Sequence, residues 1–201
     1  MRPLAVVTPT LDGDVLAVFA QADTTFTTGQ MHRMLPRFSE DGIRKALARL
    51  RTQGIVTSER VGNAYLYRFN RDHLAARPIL ELAQQRLTLL SRIEECLTAW
   101  RWAPVYAAVF GSMARGTAGP SSDVDLLFVR PDEVSEDEWD AQVAGLASDI
   151  SKWTGNDARP IEFTVSDLVA RREEQVLKEV LAKGLTVYGH RAWLQAQIGG
   201  R

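Results

Sequence analysis

The sequence predicts an α+β protein in two parts, and three observations carry that reading. Residues 11–69 set three short helical patterns ahead of two strand-like runs. A strongly apolar helical stretch follows at 78–100. From Val105 onward, short apolar runs alternate with helical patterns, the order of an α/β layer built on a mixed sheet. The expected division is 1–71 for the first domain, 72–102 for a connecting helix and 103–201 for the second domain. With 201 residues, 45% hydrophobic and 24% charged, there is material for two small cores.

In the first part, Val15, Leu16, Val18 and Phe19 share a helical face within 11–22. Thr27-Thr28-Gly29-Gln30 has the form of a capping box, opening a short helix that Pro36 stops. Ser39 caps a third helix, with Glu40 and Asp41 in the first turn, where the helix dipole favours carboxylates. Ile43, Leu47 and Leu50 form its buried stripe, and Gly54 closes it. Runs at 55–60 and 64–69 then face each other across Gly62-Asn63, a two-residue hairpin turn. Residues 78–100 carry Ile79, Ala83, Leu90, Ile93, Leu97 and Trp100 at 3–4 spacing, while Leu80, Leu82, Leu87 and Leu89 broaden the apolar surface. A helix so apolar needs cover on two sides. Either the rest of the chain provides it, or a homodimer forms through this helix.

Three helices followed by a hairpin give the element order of a winged helix-turn-helix. The stretch S-E-D-G-I-R-K-A-L-A-R-L-R-T-Q-G-I-V at 39–56 resembles the recognition helix and wing start of bacterial winged-helix regulators. That likeness implies double-stranded DNA as a partner, read by a helix in the major groove with wing residues on the flanking backbone. Basic residues dominate between 31 and 71. Arg44, Lys45 and Arg49 are the candidates for groove contacts, with Arg60 and Arg68 for phosphate. A solvated basic face, or a winged helix used for protein contact, is the competing reading.

The most informative stretch is Gly111-Ser112-Met113-Ala114-Arg115-Gly116, followed by Ser121-Ser122-Asp123-Val124-Asp125-Leu126. Apolar runs at 105–110 and 126–129 flank it as buried strands. On a strand, side chains at i and i+2 share a face, so Asp123 and Asp125 converge. Two hard anionic oxygen ligands suit Mg²⁺, and a Gly-Ser turn offers backbone N–H groups and a hydroxyl to phosphate. The joined pattern resembles the G-S-x10-D-x-D signature of the DNA polymerase β-like nucleotidyltransferases, and most of all their small prokaryotic "minimal" members. The resemblance implies transfer of a nucleoside monophosphate from an NTP, with pyrophosphate leaving and two Mg²⁺ ions in the site. It also implies a third carboxylate from a later strand. Residues 158–165 supply that strand, and Glu162 alternates with Ile161 and Phe163 towards the expected metal face. The family more often has aspartate there, and a surface glutamate on an edge strand is the alternative. Gly111, Ser112 and Arg115 are the phosphate candidates, although Arg115 also suits an outward-facing helix position. Helices are expected at 135–153 and 169–183, with a closing helix-to-strand turn at 181–189.

Function then reads as a DNA-binding regulator that transfers AMP from ATP to a protein acceptor. Such minimal enzymes frequently act as antitoxins, which implies a cognate toxin as a further partner. Two other readings stay open. One is a transcription factor whose nucleotidyltransferase domain only senses nucleotide; the other is a modifier of small molecules of the aminoglycoside kind. No apolar run approaches the ~20 residues needed to span a bilayer, and the stretch at 1–7 is too short for a secretory signal. The single Cys96 excludes an internal disulfide, so a cytoplasmic protein with no membrane partner is expected. His32, His73 and His190 share no metal-ligand spacing.

Overall fold

Ile43, Leu47 and Leu50 have no more than 2% of their surface exposed, which fixes the packing face of the third helix as the periodicity demands. The computed structural model describes residues 3–119 and 122–199; Ser121 of the motif and the first two residues of the 1–7 stretch lie outside them. The chain divides into two compact units, one ending at Gln85 and one beginning at Arg86.

In the N-terminal unit a 3-10 turn at Pro3–Val6 precedes α1 (Leu11–Gln21), β1 (Thr25–Phe26), α2 (Thr28–Met34), α3 (Glu40–Thr52), β2 (Val56–Val61), β3 (Ala64–Phe69) and α4 (Ala76–Ala83). Both predicted caps form. Gln30 N donates to Thr27 Oγ1 at 3.1 Å while Thr27 N donates to Gln30 Oε1 at 2.7 Å, the reciprocal pair of a capping box. Ser39 Oγ accepts from Gly42 N at 3.1 Å. β2 and β3 pair antiparallel from Val56↔Phe69 to Val61↔Ala64, and Gly62 takes φ +60 at the first loop position. A two-residue loop of this kind requires glycine where φ is positive. The two-residue β1, not anticipated, adds a strand to β3 and makes the sheet order β1-β3-β2. Phe19 sits at the centre with no exposure, edge-on to Phe26 at 5.6 Å and stacked on Phe69 at 6.5 Å.

The single long helix expected over 78–100 is two helices, α4 and then α5 (Gln85–Ala99), separated at Gln84. Their apolar breadth has separate destinations. Ala76 and Ile79 bury in the N-terminal core, and Leu89, Ile93 and Leu97 bury in the core of the C-terminal unit.

From α5 the C-terminal unit continues through β4 (Tyr106–Phe110), α6 (Gly111–Arg115), β5 (Val124–Arg130), α7 (Glu136–Thr154), β6 (Ala158–Thr164), α8 (Val165–Ala170), α9 (Gln175–Lys183), β7 (Leu185–Tyr188) and α10 (Arg191–Ile198). The last helix expected over 169–183 is split into α8 and α9, and α10 was not foreseen. The sheet is mixed, in the order β6-β5-β4-β7, with β5 parallel to β6 and antiparallel to β4. Leu126, Phe128, Ala107 and Val109 face α5 and α7; Leu127, Val129, Phe163, Ala108 and Phe110 face α8, α9 and α10. Burial on both faces is why β4 and β5 read as continuous apolar runs rather than alternating ones. Among the described residues, no helix is long and apolar enough to cross a membrane.

Phe19→Ala removes the ring that joins α1 to β1 and β3, and should cost about 3–5 kcal/mol. A fall in the urea midpoint at unchanged m-value is the expected result.

Candidate active site

The motif's first half leaves β4 through Gly111, whose φ of +65 opens α6. Only glycine reaches this conformation cheaply, since an L side chain in the left-handed region costs about 1–2 kcal/mol. A second constraint acts on the same atom. A Cβ on Gly111 would lie 2.0 Å from Asp125 Oδ2, so the turn presses its backbone directly against that carboxylate. The antiparallel register explains the approach, because Phe110 is paired with Asp125. Ser112 follows in α6, half-buried, with its carbonyl accepting from Thr117 N at 3.0 Å and Ala118 N at 3.2 Å.

The loop that returns to β5 is held by Asn156, just beyond α7. Its Nδ2 donates to Gly119 O at 3.2 Å and to Ser122 O, while Gly119 N donates to Ser122 Oγ at 2.9 Å. Val124 N donates to Asp157 O at 2.8 Å, which fixes Asp123 at the lip of the strand. Asp123 and Asp125 are therefore brought together, as the i, i+2 alternation requires. Burial, and next the Asp123 carboxylate, push the Asp125 carboxyl above its usual range; Arg159 pulls it down, Glu179 raises it and Arg115 lowers it.

Glu162 is not part of this cluster, which corrects the expectation that it faces the metals. The parallel pairing sets Asp125 beside Arg159, Leu127 beside Ile161 and Val129 beside Phe163. Paired residues of neighbouring strands point to the same side. Glu162 is paired with Phe128 and so lies on the opposite face of the sheet, towards α7. There it accepts the indole N–H of the fully buried Trp139, and burial holds its carboxyl above the usual range against that hydrogen bond. It lines a groove of about 450 Å³ with Arg130, Asp140 and Asp167, separate from the aspartates. Alternation along β6 follows from the sequence; which of its two faces meets β5's aspartates depends on a register that β6 alone does not reveal.

Two residues at the aspartates escaped the sequence reading. Arg159 Nη1 is 2.8 Å from Asp123 Oδ2. Glu179, on α9, binds the Arg115 guanidinium, so this exposed arginine is paired with an acid. Stepping back by two from Phe163 and Ile161 would have flagged Arg159; nothing in the sequence pairs Arg115 with Glu179 across 64 positions.

The residues present fit one hard divalent cation at Asp123 and Asp125, whose carboxylates lie together next to the buried Gly111 turn. Among the described residues, no three His, Cys, Asp or Glu side chains gather into a cage.

In the N-terminal unit, the basic candidates all have partners. Lys45 Nζ lies 2.9 Å from Asp41 Oδ2, and Arg44 pairs with the same carboxylate. Arg49 grips Asp12 of α1 with two bonds, Nε to Oδ1 at 3.1 Å and Nη2 to Oδ2 at 2.7 Å. Arg60 Nε donates to Gly62 O at 3.3 Å, and Arg68 Nη2 lies 3.3 Å from Asp23 Oδ1.

Residues 91–186 match the family model described as a nucleotidyltransferase domain, and that match supports a nucleotidyltransferase. Similar solved structures include a toxin–antitoxin complex with AMP-PNP, at 15% identity and TM-score 0.42, covering 55% of this chain and 81% of that one. Another is the MntA–HepT toxin–antitoxin complex, at 12% identity and TM-score 0.38, covering 56% and 80%. A third is the tri-AMPylated Shewanella oneidensis HEPN toxin with MNT antitoxin, at 13% identity and TM-score 0.37, covering 56% and 80%. No curated protein matches the chain.

The raised Asp125 carboxyl has a stability consequence whose sign is fixed. Folding favours the protonated form relative to the unfolded chain, so its contribution is complete below the ordinary carboxyl value of about 3.9 and is lost as pH rises through the folded value. Asp125→Asn cannot ionise. In chelator-treated buffer it should melt above wild type at pH 7, with the gap closing towards pH 4. A variant that melts below wild type at pH 7 contradicts this assignment.

Proposed function

We propose that the protein transfers the AMP moiety of ATP to a hydroxyl on a protein acceptor, and that Asp123 and Asp125 carry the reaction. The observation that supports this most strongly is the contact of the Gly111 turn with the Asp125 carboxylate, with Asp123 alongside. Backbone N–H groups of that turn and the Ser112 hydroxyl are suited to phosphate, and the two carboxylates to a cation. A bound divalent cation supplies charge neutralisation of the triphosphate and polarises the phosphoryl group under attack. Asp123 and Asp125 would hold that cation, and Ser112 with the turn would hold phosphate oxygens. The acceptor oxygen bonds to the α-phosphorus as its proton passes to water, the bond from the α-phosphorus to the bridging oxygen breaks, and pyrophosphate leaves. The choice of AMP and of a protein acceptor with antitoxin-like use rests on the likeness of G-S-x-A-R-G…S-D-x-D-L to the minimal nucleotidyltransferases.

For the N-terminal unit we propose a winged helix-turn-helix that binds double-stranded DNA. Three helices with a three-stranded antiparallel sheet in the order β1-β3-β2 support it, as does a third helix exposing Arg44 and Lys45, whose side chains are each 68% accessible. Exposed ion pairs such as those with Asp41 are worth little, so phosphate can compete for these cations. Arg49 is less available, being held by both nitrogens to Asp12. That commitment favours a second reading, in which this unit docks a protein instead.

Incubation with labelled ATP and Mg²⁺, with and without lysate, should put label on a protein band. The Asp123→Ala/Asp125→Ala variant should lose that label by about a thousandfold or more. Equal labelling by wild type and variant contradicts the reading. In gel shifts with its own upstream DNA, three to five phosphate contacts predict a roughly 40- to 500-fold loss of affinity between 50 and 200 mM salt. A salt-insensitive interaction, or none, favours protein docking.

A further inference from the structure

The place where a third carboxylate would stand is occupied by an arginine. Arg159 is the β6 residue paired with Asp125, on the same face of the sheet, and neighbouring strands lie only about 4.8 Å apart. Its guanidinium reaches across to Asp123, with Nη1 to Oδ2 at 2.8 Å. The nearest acid that could complete a cage from the helical side, Glu179, is bound by Arg115. Glu162 is on the opposite face.

We infer that this site is built for a single divalent cation, and that Arg159 supplies at the triphosphate the positive charge a second cation would bring. The inference rests on the assignment of Asp123 and Asp125 as cation ligands. The electrostatic reasoning is simple. A third carboxylate together with a second divalent ion contributes one net positive charge to a site, and one arginine contributes the same. An arginine does so without the carboxylate needed to retain the ion, and its planar fork matches the spacing of two phosphate oxygens. Arg159 has the freedom this requires, since its side chain is 65% accessible and β6 is an edge strand. Its pairing with Asp123 places it at the lip of the site; on nucleotide binding it exchanges one carboxylate oxygen for phosphate oxygens while Asp123 turns to the cation.

The test counts ions rather than turnover. Full-length protein is saturated with a non-hydrolysable ATP analogue and titrated with Mn²⁺, and bound ion is read from loss of the free Mn²⁺ resonance in electron paramagnetic spectra. Wild type should retain one Mn²⁺ per chain. Arg159→Glu, which restores a carboxylate beside Asp125, should retain two. Arg159→Gln should keep the count at one but weaken analogue binding by about tenfold or more, with Arg159→Lys between it and wild type, because lysine keeps the charge and loses the fork. Two ions in wild type overturn the inference while leaving the parent reading intact. One ion in Arg159→Glu together with unchanged affinity in Arg159→Gln also overturns it. A wild type that retains no Mn²⁺–analogue complex overturns both. Circular dichroism melts confirm that each variant is folded before counting; the exposed edge position makes all three substitutions tolerable.

Discussion

Everything in the C-terminal site depends on how closely the backbone at Gly111 approaches the Asp125 carboxylate. A side chain of even one carbon would lie 2.0 Å from Oδ2, and the φ of +65 would resist it independently. Two unrelated demands thus meet at one residue. The turn needs glycine to leave β4 in that direction, and the carboxylate needs glycine to stay where it is. Since Phe110 is held opposite Asp125 by the antiparallel ladder, neither side of the contact can drift without breaking strand hydrogen bonds at the centre of the sheet. In the proposed reaction the backbone of the turn and the Asp125 carboxylate would be placed by the same contact, the kind of preorganisation nucleotidyl transfer requires.

The cost of that placement is visible in Asp125, a half-buried carboxylate made harder to ionise by burial and by Asp123. Two arginines moderate it from different directions. Arg159 reaches in from β6, and Arg115 from α6, the latter with its own acid, Glu179, attached. Each of these ion pairs is partly exposed and individually weak. On the other face of the sheet, Glu162 performs a structural task by accepting the Trp139 indole N–H at the edge of a core that contains Phe128, Val143 and Ile150.

Much of this was legible in the chain itself, and the boundary between what was and what was not is physical. Features set by a few consecutive residues were readable: the Thr27–Gln30 capping box, the Ser39 cap, the Gly62-Asn63 hairpin, and the joined Gly-Ser and Asp-x-Asp pattern between apolar strands. Features set by pairing at a distance were not. Glu162 was assigned to the aspartates' side because alternation within β6 says which residues travel together but not which set meets β5. That decision belongs to the parallel register, in which Arg159 and not Glu162 takes the aspartates' side. The break at Gln84 was hidden for a related reason: α4 and α5 have matching apolar spacing although their buried faces serve different cores. Arg49 reads as a candidate groove contact in the sequence, and the structure ties it to Asp12 of α1 across a separation in sequence that local pattern does not span.

The central claim is that the cation and nucleotide bind on the Asp123–Asp125 side of the sheet, against the Gly111-Ser112 turn. Nuclear magnetic resonance of isotope-labelled protein with an ATP analogue and trace Mn²⁺ reads that location directly, through paramagnetic broadening. The backbone amides of Gly111, Ser112, Asp125 and Arg159 should broaden first, with the Trp139 indole resonance surviving to higher Mn²⁺. Broadening that begins at the Trp139 indole, beside Glu162, would put the cation on the other face and contradict the account.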